Sequence, residues 1–399
     1  MSPRVLLATT VQWPSFARLA GAFAGVGAQV EALLPSGHVA GKSRFVSRTH
    51  AYNPLFPLGA LARAIAAAAP DLVVPGDDRA LAHLLSLSAG HAALVERSLG
   101  RVASYATLIA RRDFIGAAQA AGIAAPRTIR LDGAGDLEAG LAAIGFPAVL
   151  KVDGSWGGEG TVVAANPEQA RAAYARLAAT PSRGRSVLRA ILRRDANFLH
   201  EALSPPARTV NLQAFIPGKP ATSAFACWKG RVLASIHMDV LETLYPCGPA
   251  TVMRRVDCPQ MEQAAVRLAE QFGLSGLHGL DFVRDGTGQA HLIEINPRAT
   301  QASAFALGPG HDLAAALAGC LAPAARWPRP LLTENPVLAL FPQEWRRDPQ
   351  SAWLHSAYPD VPWDDPEVLR ACLAPGQKPP ERRSPERSPA LTLRQALGR

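Results

Sequence analysis

Apolar and polar positions alternate between two periods over the first part of the chain. From residue 4 to about 95, each short apolar run is followed by a segment with apolar residues at helical spacing. The elements predicted in this order are strand RVLLATT, helix PSFARLAGAFAGVG, strand AQVEALLP, helix PLGALARAIAAAAP, strand DLVVPGDD and helix RALAHLLSL. Such an alternation is typical of a small parallel sheet with helices on both faces.

The turn after the first strand argues against a bound dinucleotide. It has the sequence TTVQWPS and lacks the G-x-G-x-x-G pattern with which this layout holds a pyrophosphate. The pattern therefore predicts a Rossmann-like domain without the nucleotide fingerprint. An NAD-linked dehydrogenase is the least favoured class of enzyme.

The middle of the chain changes to a mixed pattern. Strands, glycine-rich turns and single helices follow one another there without regular alternation. The segments predicted are FPAVLKVDGSWGGEGTVVAAN as two strands around a turn, RGRSVLRAILRRDANFLHEAL as a charged helix, TVNLQAFIPGK and ATSAFACWKGRVLASIHMD as strands, QMEQAAVRLAEQFG as a helix and LHGLDFVRDGTGQAHLIEIN as a hairpin. The predicted fold class is α/β followed by α+β.

Composition narrows the class of protein. The chain has 399 residues, of which 48% are hydrophobic and 18% charged, which is enough for two or three packed domains. Its apolar runs are interrupted or shorter than the ~20 residues of a membrane helix, and the N-terminal run is predicted to be a strand and not a signal peptide. The 5 cysteines form no C-x-x-C pair, which argues against a disulfide framework or a thiolate zinc site and favours the cytoplasm.

The positive charge of the chain comes mostly from arginine. A net charge of +9 and a pI of about 9.7 are interpreted as solvated surface, so a nucleic-acid partner is disfavoured. Only an accessory role of the basic C-terminal tail in nucleic-acid binding stays open. The tail after about residue 375 has the Pro, Arg and Ser composition of a disordered linker.

The glycine-rich turn DGSWGGEG is the first candidate site. Gly157, Gly158 and Gly160 allow backbone N–H groups to approach an anion closely, but no G-K-[ST] follows, so the turn is not a Walker loop. Lys151 precedes the turn on its strand, where an ammonium would reach the same phosphates. The alternative is an ordinary hairpin tip beside a surface lysine.

The predicted strand HLIEIN has polar side chains on its outward-facing positions. Alternation places Ile293 and Ile295 on the core face and Leu292, Glu294 and Asn296 on the opposite face. A carboxylate and an amide are thereby expected side by side.

The preceding strand is expected to add a second carboxylate. With the hairpin turn centred on DGTG, Asp281 pairs with Leu292 and shares the face of Glu294 and Asn296. Two carboxylates and an amide are ligands that Mg²⁺ prefers, and Arg298 follows beside them, where a guanidinium can grip a carboxylate or phosphate. The alternative is the polar outer face of an amphipathic hairpin.

Together these motifs resemble the ATP-grasp superfamily over roughly residues 100 to 310. The matching pieces are FPAVLKVDGSWGGEG, LQAFIPGK and GLDFVRDGTGQAHLIEINPR, and RRDFIGAAQAAGIAAP is similar to the basic residue, helix and G-I-P-x-P of many members. The α/β unit before them resembles a pre-ATP-grasp domain. The resemblance implies a Rossmann-like pre-ATP-grasp domain followed by a two-lobed ATP-grasp fold. The expected segments are 1–100 for the first domain, 101–205 with the glycine flap, 206–320 with the adenine hinge and metal hairpin, and 321–399 as a Pro-rich extension.

The resemblance also implies roles for the candidate residues. ATP phosphates would lie between Arg111 and Lys151 under the glycine flap, and Arg298 would stabilise the transferred phosphoryl group or the acyl-phosphate. The residues implied for the adenine hinge are Gln213, Phe215 and Ile216, and those implied for Mg²⁺ or Mn²⁺ are Asp281, Glu294 and Asn296.

Two positions depart from the family pattern. The entrance lysine appears as Arg111, with Arg112 next to it as the alternative match. Gly279 stands where some ligases of the family place an arginine, which makes kinship with the D-alanine ligases doubtful.

The hypothesis that follows is an ATP-dependent ligase. A small-molecule or peptide carboxylate would be activated as an acyl-phosphate and captured by an amine. An ATP-grasp carboxylase or kinase and a non-catalytic ATP-binding module remain alternatives. Candidate substrate residues are Arg255 and His237. The basic helix within 183–203 is a candidate lid, although a solvated helix face is the favoured interpretation. The oligomeric state stays open, with a homodimer among the options.

Overall fold

The structure is a computed structural model. It describes residues 2–154, 160–179, 184, 208–322 and 328–374. Within these ranges no helix combines the length and the apolar character needed to cross a membrane. The predicted basic helix within 183–203, apart from residue 184, and the predicted disordered tail after about residue 375 lie outside the described residues.

The first part of the chain folds as a parallel sheet with helices on both faces. The strands follow the order β3-β2-β1-β4, and every pair is parallel. The elements are β1 Arg4–Ala8, α1 Ser15–Ala24, β2 Gln29–Leu34, the 3-10 helix Val39–Lys42, β3 Arg48–Ala51, α2 Pro57–Ala68, β4 Leu72–Pro75, α3 Asp78–Ser86 and α4 Ala92–Leu99. The alternation predicts this layout except for β3, whose sequence RTHA has no buried residue.

A second, antiparallel sheet follows. Its strands have the order β5-β8-β6-β7. The elements of this part are α5 Tyr105–Ile109, α6 Arg111–Ala120, β5 Thr128–Leu131, α7 Ala134–Ile144, β6 Ala148–Val152, β7 Thr161–Ala164, α8 Pro167–Ala178 and β8 Val210–Ala214. Ala148, Leu150 and Leu212 on one face pack against α7 and α8 in a core of their own. The opposite face is left for polar side chains.

The third sheet is the largest of the described part and has the order β13-β12-β9-β10-β11-β14-β15. It mixes long strands from the middle of the chain with two short ones from the C-terminal part. Its strands are β9 Lys219–Trp228, β10 Arg231–Thr243, β11 Ala250–Arg255, β12 Gly276–Arg284, β13 Ala290–Asn296, β14 Val337–Ala339 and β15 Tyr358–Pro359. The helices around it are α9 Pro259–Phe272, α10 Leu313–Leu321, α11 Gln343–Arg347, α12 Trp353–Ser356 and α13 Pro366–Leu373.

The seven-stranded sheet is covered on both faces. On one face Ala224 and Ile236 join a core that includes α1 and α10. On the other face Phe225, Leu280 and Phe282 join a core that includes α6 and α9. Each core also contains strand residues of the first sheet, so the two sheets share their apolar packing. The predicted fold class, α/β followed by α+β, is confirmed.

The C-terminal segment returns to the first domain. Arg18 on α1 forms ion pairs with Asp360 at 2.9 Å and with Asp364 at 3.2 Å. Ser43 Oγ donates a hydrogen bond of 2.5 Å to Asp365. Val368, Ala371 and Cys372 of α13 lie in the same core as Val39 and Ala40 of the 3-10 helix. The segment beyond residue 336 therefore completes one side of the first domain.

Candidate active site

One polar face of the second sheet forms a wall of the candidate site. Lys151 pairs with Asn211 and Val149 pairs with Gln213, and residues at these positions share a face because paired strand residues point the same way. Lys151, Asn211 and Gln213 are nevertheless buried. Polar groups buried in this way are expected to face a partner or a binding site.

Asn211 is a further candidate site residue, which the sequence analysis did not single out. Its Nδ2 donates to Asp153 Oδ1 at 2.8 Å, while its buried Oδ1 has no hydrogen-bond partner among the described residues. The signal was available in VNLQA, where two amides interrupt an apolar buried strand at alternate positions.

The hairpin β12–β13 supplies the opposite wall. Asp281 pairs directly with Glu294, and Gly279 pairs with Asn296. Asn296 Nδ2 donates to Asp281 Oδ2 at 2.8 Å. The expected convergence of Asp281, Glu294 and Asn296 on one face is present.

The predicted register of this hairpin was wrong. Leu292 pairs with Phe282 and not with Asp281, and the pairing shifts between Phe282 and Asp281 so that Ile293 has no partner. Leu292 is fully buried in the same core as Ile295, whereas alternation had placed it with Glu294. A β-bulge at Ile293 explains both differences. The extra residue interrupts the alternation of β13, so Leu292 before it and Ile295 after it point to the same core face.

Arg111 connects the two walls. It is the first residue of α6, and its side chain is only 7% exposed. Its Nη1 lies 2.6 Å from Glu294 Oε2, and its Nε lies 3.8 Å from Asp153 Oδ1. Arg112 instead pairs with Asp113 at the surface. Of the two arginines considered for the family lysine, the structure brings Arg111 to the site.

Burial changes the acid–base properties of Lys151. Desolvation, and then repulsion by Arg111, lower its pKa to about 8 against the attraction of Glu294 and Asp281. Among the described residues no hydrogen bond or ion pair satisfies its ammonium. A buried cation of this kind is suited to an anionic ligand.

The two carboxylates respond in opposite directions to the same surroundings. Burial, and then repulsion by Glu294, raise the pKa of Asp281. Burial also acts to raise the pKa of Glu294, but the attraction of Arg111, Lys151 and Arg298 outweighs it and lowers that pKa below its usual value. Glu294 is thus held as an anion by a ring of cations.

Arg298 is fixed by the first domain. Its Nε lies 2.9 Å from Asp78 Oδ1, and its Nη2 donates to Asp78 Oδ2 at 3.4 Å and to Asn296 Oδ1 at 3.1 Å. Burial lowers the pKa of Arg298, but the attraction of Asp78 outweighs this and raises it. The guanidinium is therefore a charged group held beside the hairpin β12–β13.

The partner of Arg298 was missed by the sequence analysis. Asp78 starts α3, and Asp77 caps that helix by accepting from the backbone of Arg79 and Ala80. Asp77 also accepts from Thr10 N at 2.6 Å at the end of β1. The signal was the acidic pair after DLVVPG, because ligand and site residues collect at the carboxyl ends of parallel strands.

Part of the chain matches a known protein family. A family model for the ATP-grasp domain matches residues 165–302. This part of the chain is similar to ATP-grasp domains. None of the curated proteins compared with the chain matches it.

Solved structures share the ATP-grasp fold over most of the chain. An N5-carboxyaminoimidazole ribonucleotide synthetase in complex with ADP superposes with a TM-score of 0.56 at 14% identity, over 83% of this chain and 79% of that one. The biotin carboxylase domain of a 2-oxoglutarate carboxylase from Hydrogenobacter thermophilus, with MgADP, ADP and bicarbonate, gives 0.58 at 15%, over 81% and 70%. An L-amino acid ligase from Bacillus licheniformis gives 0.56 at 14%, over 80% and 75%. The predicted ATP-grasp fold is confirmed.

The expected adenine hinge of the ATP-grasp domain joins its two sheets. Gln213 lies one residue before the end of β8, and its Nε2 donates a hydrogen bond to Thr128 Oγ1 at 3.0 Å. Phe215 and Ile216 follow in the link to β9 and are partly exposed. Of the flap, Gly160 is described and accepts from Val152 N at 3.0 Å, whereas Gly157 and Gly158 lie outside the described residues.

The two expected substrate residues are not brought to the carboxylates. His237 pairs with Ser223, which pairs with Leu280, so it lies on the face opposite Asp281. There it contacts Glu262 at 2.8 Å. Arg255 does share the face of Asp281, but three strands away, which is roughly 14 Å.

The oxygen donors of the ATP-grasp hairpin fit a hard divalent cation. Asp281 and Glu294 supply carboxylates and Asn296 an amide, a set suited to Mg²⁺ or Mn²⁺. The residues that the structure describes contain no cluster of three or more His, Cys, Asp and Glu side chains that could hold a metal. Further ligands would therefore come from water or a bound phosphate.

Proposed function

We propose that the protein is an ATP-dependent carboxylate–amine ligase. The observation that carries the proposal is the convergence of two paired carboxylates, Asp281 and Glu294, with the buried cations Lys151 and Arg111 and the partly buried Arg298. This arrangement suits a polyphosphate with a divalent cation. The cytoplasm, which holds both, is the proposed location.

The nucleotide would lie between the second and third sheets. Lys151, which is buried on the face that β6 shares with β8, offers the phosphates an ammonium without a competing partner among the described residues. Gln213, Phe215 and Ile216 would meet the adenine edge. Asp281, Glu294 and Asn296 would hold Mg²⁺ or Mn²⁺, which when bound neutralises phosphate charge.

The proposed reaction has two steps. A carboxylate oxygen of the substrate attacks the γ-phosphorus of ATP, the bond to the bridging oxygen breaks, and ADP leaves. An amine then attacks the carbonyl carbon, phosphate leaves, and the amine loses a proton to solvent. Arg298, fixed by Asp78, would stabilise the charge on the transferred group, and positioning would supply most of the rate enhancement.

Replacing Glu294 by Gln tests the proposal. The amide keeps the shape but removes the charge, so ADP release dependent on a carboxylate and an amine should fall by about 100-fold or more. Release is measured with a coupled assay against pooled small carboxylates and amines. Glu270→Gln on the exposed side of α9 is the matched control and should retain activity. Full turnover in Glu294→Gln would remove the metal assignment.

A carboxylase is the second candidate, since a structure of the same fold contains bicarbonate with MgADP. In that case ADP release would require bicarbonate and not an amine. Omitting each in turn separates the two reactions. ATP binding without turnover on any acceptor would instead favour the non-catalytic ATP-binding module.

A further inference from the structure

The side chain of Arg111 forms an ion pair with Glu294, which is one of the carboxylates proposed to bind the metal. Its Nη1 lies 2.6 Å from Glu294 Oε2, a distance at which no metal ion fits between the two atoms. The Glu294 side chain is 27% exposed and that of Arg111 is 7% exposed, so the two charges meet in a largely buried site. The guanidinium therefore acts as the counter-ion of this carboxylate.

The three positive side chains around Glu294 disfavour an additional metal cation there. Arg111, Lys151 and Arg298 all attract this carboxylate. Asp281, Asp153 and Asp78 are the other carboxylates near these cations, and Asn296 donates to Asp281 Oδ2, where a metal would need a free oxygen. Donors of the right type are present, but they are already neutralised or hydrogen-bonded.

Arg111 is held on one side only. Its buried Nε and Nη1 have no hydrogen-bond partner of acceptable geometry among the described residues, so the contact of Nη1 with Glu294 is an ion pair, and Nε lies 3.8 Å from Asp153. An anion that enters beside Lys151 would offer the guanidinium the fork-shaped acceptor that it lacks. A phosphate chain can thus draw Arg111 away from Glu294.

We propose that Arg111 excludes divalent metal from the nucleotide-free site and releases Glu294 when nucleotide phosphates bind. The inference rests on the proposed function and adds an order of binding to it. Metal and nucleotide then enter together, and a divalent cation alone binds weakly. Arg111 stands where the family pattern has lysine, and the proposal gives the arginine a specific role. A lysine ammonium is compact and would form a weaker ion pair with the Glu294 carboxylate than the guanidinium does.

Binding of Mn²⁺ to the full-length chain tests the inference without any turnover. The free Mn²⁺ signal is followed by electron paramagnetic resonance, with and without a non-hydrolysable ATP analogue. Wild type should bind Mn²⁺ weakly alone and much more tightly with the analogue. Arg111→Met should bind Mn²⁺ alone at least about tenfold more tightly than wild type, the effect of removing one close cation.

Arg112→Met is the matched control. Arg112 is the neighbouring arginine, is 60% exposed and pairs with Asp113, so its removal should leave Mn²⁺ binding as in wild type. Arg111→Lys keeps the buried charge and serves if the neutral variant does not fold. Its affinity for Mn²⁺ alone should lie between those of wild type and Arg111→Met.

The possible results separate the inference from the function beneath it. If Mn²⁺ binds with the analogue in wild type, but equally weakly without it in wild type and both Arg111 variants, the exclusion by Arg111 is overturned while the metal site stands. Tight Mn²⁺ binding to nucleotide-free wild type overturns it as well. If neither the analogue nor Mn²⁺ binds in any sample, the proposed function fails and the inference falls with it.

Discussion

Lys151 combines a buried side chain with a lowered pKa, and this makes ligand binding depend on pH. In the unliganded protein its ammonium is charged below pH 8 or so and neutral above, because burial lowers its pKa from 10.5 to about 8. The folded state thus binds fewer protons than the unfolded chain between these values. The cost of the buried charge to folding is present at lower pH and is relieved as the pH rises through this window.

We therefore predict that nucleotide affinity falls above about pH 8. Phosphates attract the charged form, so binding restores the proton, and affinity should drop by up to about tenfold per pH unit above the free pKa. Calorimetry with a non-hydrolysable analogue between about pH 7 and 9.5 measures this. Lys151→Arg stays charged throughout and should lose the dependence. A wild-type affinity that is flat over this range would contradict the assignment.

Gly279 gives a second prediction at the residue scale. A Cβ built there would lie 2.4 Å from Thr300 Cγ2 and 3.5 Å from Asn296 Cβ, so Gly279→Ala should lower the free energy of unfolding by about 1–3 kcal/mol and disturb Asn296. Gly116→Ala, on α6 with no atom within 4 Å, should be neutral or stabilising. Urea denaturation compares the two variants. Equal effects would show that Thr300 moves freely.

Single residues also mark the limit of what the sequence could predict. Lys151, Asp281, Glu294 and Asn296 stand out because polar groups interrupt apolar strands. The ion pair between Asp78 and Arg298 joins residues 220 positions apart. No local pattern indicates such a contact, since it depends on how the first domain docks against the large sheet.

At the scale of elements, the hairpin β12–β13 shows what an alternating pattern leaves open. Leu292 and Ile293 are both aliphatic, so either one suits the core, and the pattern does not locate the bulge. The existence of the two strands was predictable, and so was the face of Asp281, since a shift of two positions preserves it. The register itself required the structure.

The N-terminus of α3 leads to an element-scale prediction. Asp77 accepts from two backbone groups of α3 and from Thr9, Thr10 and the backbone at the end of β1. Asp77→Ala should lower the free energy of unfolding by about 2–4 kcal/mol, because several buried donors lose their acceptor. It should also lower turnover, since Asp78 loses its position beside Arg298.

Asn166→Ala provides the comparison for a simple cap. Asn166 caps α8 and accepts only from Gln169 N among the described residues, so its replacement should cost about 1 kcal/mol. Urea denaturation and ADP release are measured for both variants. An Asp77→Ala protein no less stable than Asn166→Ala would contradict the network at β1.

At the scale of the whole molecule, the C-terminal segment was the least predictable part. Strands β14 and β15 have 3 and 2 residues, which is too short for a periodic signal, and their partners lie far away in sequence. The parallel sheet of the first domain could be anticipated from alternation, and the ATP-grasp fold that follows could be anticipated from the motifs. The return of the chain to the first domain could not, because the contact between Arg18 and Asp360 spans 342 residues.

Arg18 tests whether this return stabilises the molecule. Asp360 is 7% exposed, so Arg18→Met would leave a buried carboxylate without its partner, and the free energy of unfolding should fall by about 3 kcal/mol. Arg370→Met breaks an exposed pair with Glu367 and should change little. Thermal and urea denaturation measure both. Equal stability of the two variants would show that the segment is only loosely attached.

The position of α13 has a consequence for how the protein is made. Ser43 and Asp365 are in direct contact although they are 322 residues apart, and α13 covers apolar residues of the first domain. On the ribosome, the first domain emerges early but one of its sides stays uncovered until nearly all of the described chain has been translated. The first domain therefore remains incompletely packed during translation until α13 has been made. In this state it is accessible to chaperones and proteases.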